Sequence, residues 1–321
     1  MSSPFISVIM PTYNQAEFIG EAIESVLNQT YQSLELIVVD NYSQDKTQGI
    51  VEAFNDQRIK YYKFSNQGII AASRNYGIRQ ANGKYIAFID SDDIWFADKL
   101  RLQIDMMEND ESCQMVFCQF QAADANGRTL GKIFGPKDIK VGGYIYDKLI
   151  RYNFVVSSSV VVRRMFLNES GGFDEAANLR CVEDFDLWLR IARRHKALFL
   201  PKVLGMSRIH SCNTNVGSQR LQKALNVIDK QLADGFVSKP RADRAKANFY
   251  FREGWFSINR DTQLARSCFW KACELNAYNP KIIFLSLLGA GISFFPSLYN
   301  RIRKNELDKK IAWSFFNSQN L

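Results

Sequence analysis

The run Tyr85–Ile89 is apolar throughout and stops at Asp90-Ser91-Asp92-Asp93. An apolar run of this length, bounded in this way, reads as one buried strand. Three carboxylates at the end of a core strand repel one another and are costly to desolvate. The strand must therefore end at a rim open to water or to a cation, and oxygen ligands of this kind suit Mg²⁺ or Mn²⁺, ions that also hold phosphate oxygens. An acidic cap on the next helix, from Asp93 or Asp98, accounts for one such residue but not for all three.

The chain before this point alternates between two periods. Phe5–Met10 is a strand closed by Pro11, and Leu34–Val39 is a strand ending in Asp40. Ile59–Phe64 is a third strand. Between and after them lie helical stretches at 17–27, 47–54 and 70–81, the last ended by Asn82-Gly83. In the first of these, Phe18, Ala22, Ile23, Val26 and Leu27 form one apolar stripe. Repeated strand–helix units predict an α/β fold, a mostly parallel sheet with helices on both faces. Strand ends in such a sheet share one rim, where ligands bind. That rim gathers Pro11, Thr12, Tyr13 and Asn14, then Asp40, Asn41, Tyr42 and Ser43, then Asp90, Ser91, Asp92 and Asp93, with Arg74 on the preceding helix. Tyr13 can stack on a base, Asp40 can accept from a base N–H, and Arg74 can pair with phosphate. Neither a G-x-G-x-x-G nor a G-x-x-x-x-G-K-[ST] loop occurs, so phosphates must be held by other means.

Composition narrows the partners. The 321 residues carry a formal charge of +8, which invites an anionic substrate or surface. The aromatics do not interleave with basic residues as stacking platforms do, so nucleic acid is not expected. Six cysteines without a C-x-x-C pair, and only two histidines, argue against structural zinc and for reduced thiols. The opening MSSPFISVIM lacks a basic n-region, so no signal peptide is expected.

The run ISVIMPTYNQAEFIGEAIESVLNQTYQSLELIVVDNYSQD resembles the opening of a family 2 inverting glycosyltransferase with the GT-A fold. NQGIIAASRNYGIRQANGKYIAFIDSDDIW fits the same family in order and spacing. The resemblance extends over about the first 215 residues. It implies that Thr12, Tyr13 and Asp40 surround the nucleotide base and that Arg74 approaches the diphosphate. Asp90 and Asp92 match its Asp-x-Asp motif, Asp92 as the metal ligand and Asp90 nearer the ribose. Asn41 stands where the family often has a second Asp.

The middle of the chain reads as the acceptor side. Met115–Cys118 is a strand, 124–127 a hairpin turn, Tyr146–Tyr152 a short helix, and 203–209 a further strand. Gly171-Gly172-Phe173-Asp174-Glu175 leads to a helix with Glu183, Asp184 and Asp186 in its first turn. The helix dipole alone accounts for acids there. An inverting transfer also needs one base for the acceptor hydroxyl, and the resemblance assigns that role to Asp184. Leu187, Ile191 and Trp188 form the buried face of this helix, and Glu183 and Trp188 are expected beside the acceptor. His210 matches a family position that joins the metal or diphosphate.

Beyond it, 222–232, 240–256 and 262–275 have helical periodicity, and 265–273 resembles half of a tetratricopeptide-type helix pair. Ile282–Phe295 is apolar, and Pro296 and several basic residues from Arg301 to Lys310 follow it. As a helix it spans about 21 Å against a bilayer core of about 30 Å. A core helix, a membrane-surface helix with a basic flank and a true span are all open.

The expected layout is a nucleotide-sugar half at 1–115, an acceptor half at 116–215 and a helical region at 216–321. The expected enzyme uses Mn²⁺ or Mg²⁺ and moves a sugar from a nucleoside-diphosphate donor, UDP-linked, to a hydroxyl of a glycan or lipid-linked acceptor. That places it in cell-surface polysaccharide synthesis, cytoplasmic and peripheral on the inner membrane face. A non-catalytic sugar-nucleotide binder and a Mg²⁺-dependent nucleotidyltransferase or phosphatase are the alternatives.

Overall fold

A computed structural model describes residues 5–136, 142–210 and 219–276, together with Ser286, Leu288, Ala290 and Gly291. Most of the stretch Ile282–Phe295 and all of its basic flank lie outside the described residues. The chain divides into two units, 1–149 with 153–223, and 150–152 with 224–321.

The first unit is built on one sheet. Its strands are β1 (Ile6–Thr12), β2 (Leu34–Asp40), β3 (Ile59–Lys63), β4 (Tyr85–Phe88), β5 (Ile94–Trp95), β6 (Cys113–Ala123), β7 (Thr129–Phe134), β8 (Gly142–Gly143), β9 (Val161–Arg163) and β10 (Lys196–Arg208). The helices are α1 (Ile19–Leu27), α2 (Thr47–Ala53), α3 (Ile70–Gln80), α4 (Lys99–Asn109), α5 (Tyr146–Leu149), α6 (Arg164–Glu169) and α7 (Glu183–Arg194). The strands run in the order β3-β2-β1-β4-β9-β6-β10-β5, with β7 on β6 and β8 on β10.

Strands β1 to β4 pair in parallel, so Thr12, Asp40 and the residues after Phe88 emerge on one rim. Every residue of β1 and β2 is buried, as expected of strands covered on both faces. The apolar stripe of α1 buries Ile19, Ala22, Ile23 and Val26 against them. On α3, Gly77 lets the helix approach β1, since a Cβ there would stand 2.6 Å from Ile9. Strand β1 runs through Pro11 to Thr12 rather than stopping at Met10. It carries the rim residues inside the sheet.

The other half is mixed. Strand β9 joins β4 to β6 antiparallel to both, and β10 runs parallel to β6. Arg163 on β9 is buried, and its guanidinium donates to the carbonyls of Met107 and Cys113 and to the Tyr85 hydroxyl. One cation thus satisfies acceptors on three neighbouring segments. Cys113, Cys118, Cys181, Cys268 and Cys273 are free thiols.

The second unit holds α9 (Lys239–Ser257) and α10 (Thr262–Leu275), with most of α8 (Arg220–Ala233) before them. Phe269 and Ile258 are fully buried, with Phe251 and Trp255 packed on them. Gly254 permits the close approach of α10, because a Cβ there would meet Phe269 at 2.7 Å. Asp261 caps α10 by accepting from Leu264 N. No helix among the described residues is long and apolar enough to cross a membrane.

Candidate active site

The rim of β1 and β2 is stitched together by side chains. Asn14 N donates to Ser43 Oγ at 2.8 Å, Gln44 N to Asn14 Oδ1 at 2.8 Å, and Gln15 N to Thr47 Oγ1 at 2.9 Å. Asp40 is fully buried beneath these loops. Its carboxylate accepts from Ser43 N at 3.0 Å, from Ser43 Oγ at 2.6 Å, and from the Tyr61 hydroxyl. In this state Asp40 braces the rim rather than presenting a free oxygen. Thr12 Oγ1 is buried and unpartnered among the described residues. Tyr13 and Tyr42 are half exposed, which leaves two aromatic rings on adjacent strand ends.

Past β4 the acidic residues separate by environment. Asp90 keeps an exposed edge and takes 2.8 Å contact from Arg74 Nη2, while its backbone N donates to Ser158 Oγ at 3.0 Å. Asp92 meets His210 Nε2 at 2.9 Å, and His210 packs on the Phe18 ring at 4.7 Å. Arg208 anchors the loop by donating to the Asp92 carbonyl and pairing with Glu21. Burial, and after it the charge of Asp90, pushes the Asp92 carboxyl upward; His210 partly offsets this. Asp93 is 3% exposed and hydrogen-bonded by Ser158 and Ser207. Burial and its two acidic neighbours drive its carboxyl strongly toward the protonated form. Asp93 is thus a buried strut behind the loop and not an open oxygen ligand. Ser91 is buried beside them.

Among the described residues no cage of three or more His, Cys, Asp or Glu side chains is gathered. Asp92 and His210 nonetheless bring one carboxylate oxygen and one imidazole nitrogen to the same point. That donor set fits a divalent ion completed by substrate oxygens and water: the carboxylate suits Mg²⁺ and Mn²⁺ alike, whereas an imidazole is a ligand of transition metals rather than of Mg²⁺.

The first turn of α7 sorts its three acids. Asp186 is fully buried and holds Arg190 Nε at 2.8 Å, and Arg190 donates in turn to the carbonyls of Ser170 and Gly172. Glu183 is 4% exposed and takes Arg74 Nη1 at 2.6 Å. Among the described residues the Asp184 carboxylate accepts only the Phe185 N–H, at 2.7 Å, and its side chain is partly exposed. Its carboxyl is pushed up to about 7, by desolvation first and then by Glu183, against the pull of Arg74.

Two sequence expectations are corrected by this packing. Trp188, expected at the acceptor, is fully buried among Phe88 and Phe173 at 6.0 and 6.1 Å and has no surface for a ligand. Glu183, also expected there, is spent on Arg74. Arg74 itself is 3% exposed and divided between Glu183 and Asp90. Burial opposes its charge, and the two carboxylates more than compensate. Pro11 lies buried within β1 and supports the rim through its backbone. Sequence reasoning placed Ser43 on the rim but missed Tyr61 and Ser158, which with it lock Asp40 and Asp90 in place; hydroxyls give no periodic signal.

The Glycosyl transferase family 2 profile matches residues 7–167. The chain belongs to glycosyltransferase family 2. An Escherichia coli relative, UDP-Glc:alpha-D-GlcNAc-diphosphoundecaprenol beta-1,3-glucosyltransferase WfgD, is 36% identical over 75% of this chain and 90% of its own length. Two other relatives are matched over only 33% and 38% of their lengths. Among solved structures, Staphylococcus aureus TarS 1–349 in complex with UDP-GlcNAc superposes with a TM-score of 0.64. It has 19% identity over 98% of this chain and 92% of that one. The mannosyltransferase PcManGT of Pyrobaculum calidifontis, in complex with GDP-Man and Mn²⁺, gives 0.60 at 20% identity, over 91% and 87%. The fold of this family 2 member is therefore of the GT-A type, a mixed sheet flanked by helices with further helices C-terminal to it.

Proposed function

We propose that the chain transfers a sugar, with inversion, from a UDP-linked donor to a hydroxyl of a glycan or lipid-linked acceptor. The carrying observation is the isolation of Asp184. Of three acids in one helical turn, two are committed to arginines. The third is raised to about 7 and remains partly exposed. A general base is most effective when its pKa lies near the working pH. In this reading Asp184 takes the proton from the acceptor hydroxyl as it attacks the anomeric carbon. Thr12 and Tyr13 hold the base, Asp40 braces the loops around it and reaches the base only by giving up one of its present hydrogen bonds, and Asp90 and Ser91 stand at the ribose. Asp92 and His210 would hold Mn²⁺ or Mg²⁺, which when bound offsets charge on the leaving diphosphate.

The placement of Asp184 in one electrostatic network with Asp90 and Arg74 weighs against a non-catalytic binder. A UDP-sugar complex of one structural neighbour and the diphosphate-linked lipid in the E. coli relative's name support the choice of donor and acceptor.

The test is a panel of sugar nucleotides incubated with Mn²⁺ and a lipid-diphosphate sugar acceptor, with release of nucleoside diphosphate and the product anomer both measured. UDP release with an inverted anomer is expected. Release from no donor, or a retained anomer, overturns the reading. Asp92→Ala should abolish the Mn²⁺-dependent part of donor binding in calorimetry, and unchanged affinity would remove Asp92 from the metal site.

The same reading places the enzyme at the cytoplasmic face of a membrane, through the apolar stretch 282–295 and its basic flank. Each basic residue near anionic headgroups contributes about 1 kcal/mol. Flotation of the full chain with anionic liposomes should be lost in high salt. A chain that stays in the soluble fraction at low salt sinks this part.

A further inference from the structure

The donor reading above leaves one charge without a partner. The resemblance puts Arg74 at the diphosphate, but both of its terminal nitrogens are engaged by Glu183 and Asp90. Its charge is already matched by two carboxylates. An incoming diphosphate therefore gains little from it beyond what a bound cation supplies.

A second guanidinium lies on the segment that leads into α7. Arg180 is exposed and follows the short 3-10 turn Ala177–Leu179, four residues before Asp184. Its backbone N donates to the Ala177 carbonyl, and no hydrogen bond or ion pair engages its guanidinium among the described residues. Its position is nonetheless defined. The guanidinium lies flat against Gly68, where an added Cβ would stand 3.4 Å from Nη1 and 3.7 Å from both Cζ and Nη2.

The Gly68 loop is itself tied to the nucleotide rim. Asn66 N donates to Asn41 Oδ1 at 2.9 Å, Gly68 N to Asn66 Oδ1 at 2.8 Å, and Asn66 Nδ2 to Ser73 Oγ at 2.8 Å. Cys181, at φ 72, turns the chain from Arg180 into the segment that opens α7. The guanidinium is thus placed beside the loop that follows β3 and just ahead of the turn that carries Asp184.

We propose that Arg180 binds a phosphate group at the mouth of this site. A planar guanidinium with five donors matches phosphate oxygens in pairs, and one that is positioned but unpaired loses little in taking them. The phosphate comes either from the donor's diphosphate or from a diphosphate that carries the acceptor.

Arg180→Gln in the full chain separates these sources. The residue is exposed, so the variant should melt as the parent does. Calorimetry with Mn²⁺ present would follow four probes: inorganic pyrophosphate, UDP, uridine, and farnesyl diphosphate added to UDP-loaded protein. Loss of a charge-assisted contact should weaken pyrophosphate about tenfold or more. A parallel loss for UDP, with uridine unchanged, assigns the donor diphosphate. UDP unchanged with farnesyl diphosphate weakened assigns the acceptor phosphate. Affinities equal to the parent's for all of the phosphate probes overturn the proposal. If the parent binds pyrophosphate through Arg180 but shows no affinity for UDP, the donor reading fails and the anion site stands. If the parent binds none of the phosphate probes, both fall.

Discussion

The two halves of the sheet were assembled under different constraints. Strands β1 to β4 are parallel and in unbroken register; β1, β2 and β4 are buried on both faces, and β3 is the half-exposed edge. Strands β6 and β10 run long, with register shifts at Leu200/Val203 and Val203/Met206. The regular half supports a rim braced by a buried carboxylate and several loop hydrogen bonds. The irregular half and the α7 turn supply buried arginines, each satisfying two or three groups. The β1–β2 rim is thus held mainly by neutral hydrogen bonds between its loops, and two of the α7 acids by ion pairs to arginines, one long-range (Glu183–Arg74) and one within the helix (Asp186–Arg190). The two should fail differently when mutated.

The largest expected effect is on catalysis. Asp184→Asn keeps the shape of the α7 turn and removes the base, so transfer should fall by about 10²–10⁴-fold while UDP affinity holds. The wild-type rate should rise with pH and level off above about 7, as Asp184 ionises. The same shift has a cost in stability. A carboxyl raised above its unfolded value binds more protons folded than unfolded, so stability falls as pH rises from about 4 toward 7. Asp184→Asn should flatten that part of the stability profile in thermal melts. A variant with normal turnover assigns the proton to another group.

Asp186→Asn, two residues away, should show the opposite pattern. It strips the charge partner from Arg190, which stays largely buried. Breaking a buried pair from one side costs about 3 kcal/mol or more, to be read from urea unfolding. Residual folded enzyme should still bind UDP. If Asp186→Asn instead spares stability and removes turnover, the assignment of roles on α7 is inverted.

This contrast also explains what was legible in the sequence. The bounds of β2, α2 and α3 agree with the sequence pattern to within a residue, because β2 buries an unbroken run and α3 stops just before Asn82-Gly83. The α7 stripe was equally clear, with Leu187 and Ile191 fully buried. Strand β6 extends to Ala123 and β10 starts at Lys196, well beyond Met115–Cys118 and 203–209. Pro201 and the shifts beside it break the alternation, and only pairing with a distant strand restores the ladder. The β-branched run at 155–162 is largely a 3-10 turn over Ser157–Ser159, with strand only from Val161. Acids at the site were visible as types, but their roles depend on which arginine reaches them. Arg74 and Glu183 are 109 positions apart in the chain, a pairing no local pattern encodes.

The smallest expected effect tests the rim. Each of its two loops has one residue at positive φ, Asn14 at 51° and Tyr42 at 58°. Asn adopts this region readily, whereas a bulky side chain there costs about 1–2 kcal/mol. The first loop therefore has the residue its backbone favours, and the second does not. The Tyr42 ring recovers little by burial, since it is 50% exposed. Strain of this kind persists where the surrounding structure over-determines it, and it concentrates at ligand sites. Tyr42→Asn should raise the stability of the unliganded protein by about 1 kcal/mol in urea unfolding. It should also weaken UDP, because base–aromatic stacking contributes about 1–3 kcal/mol. Asn14→Tyr, the reciprocal change, should destabilise by a similar amount with no gain in affinity. If Tyr42→Asn gains stability and leaves UDP affinity untouched, the exposed ring has no part in the rim and Tyr13 alone faces the base.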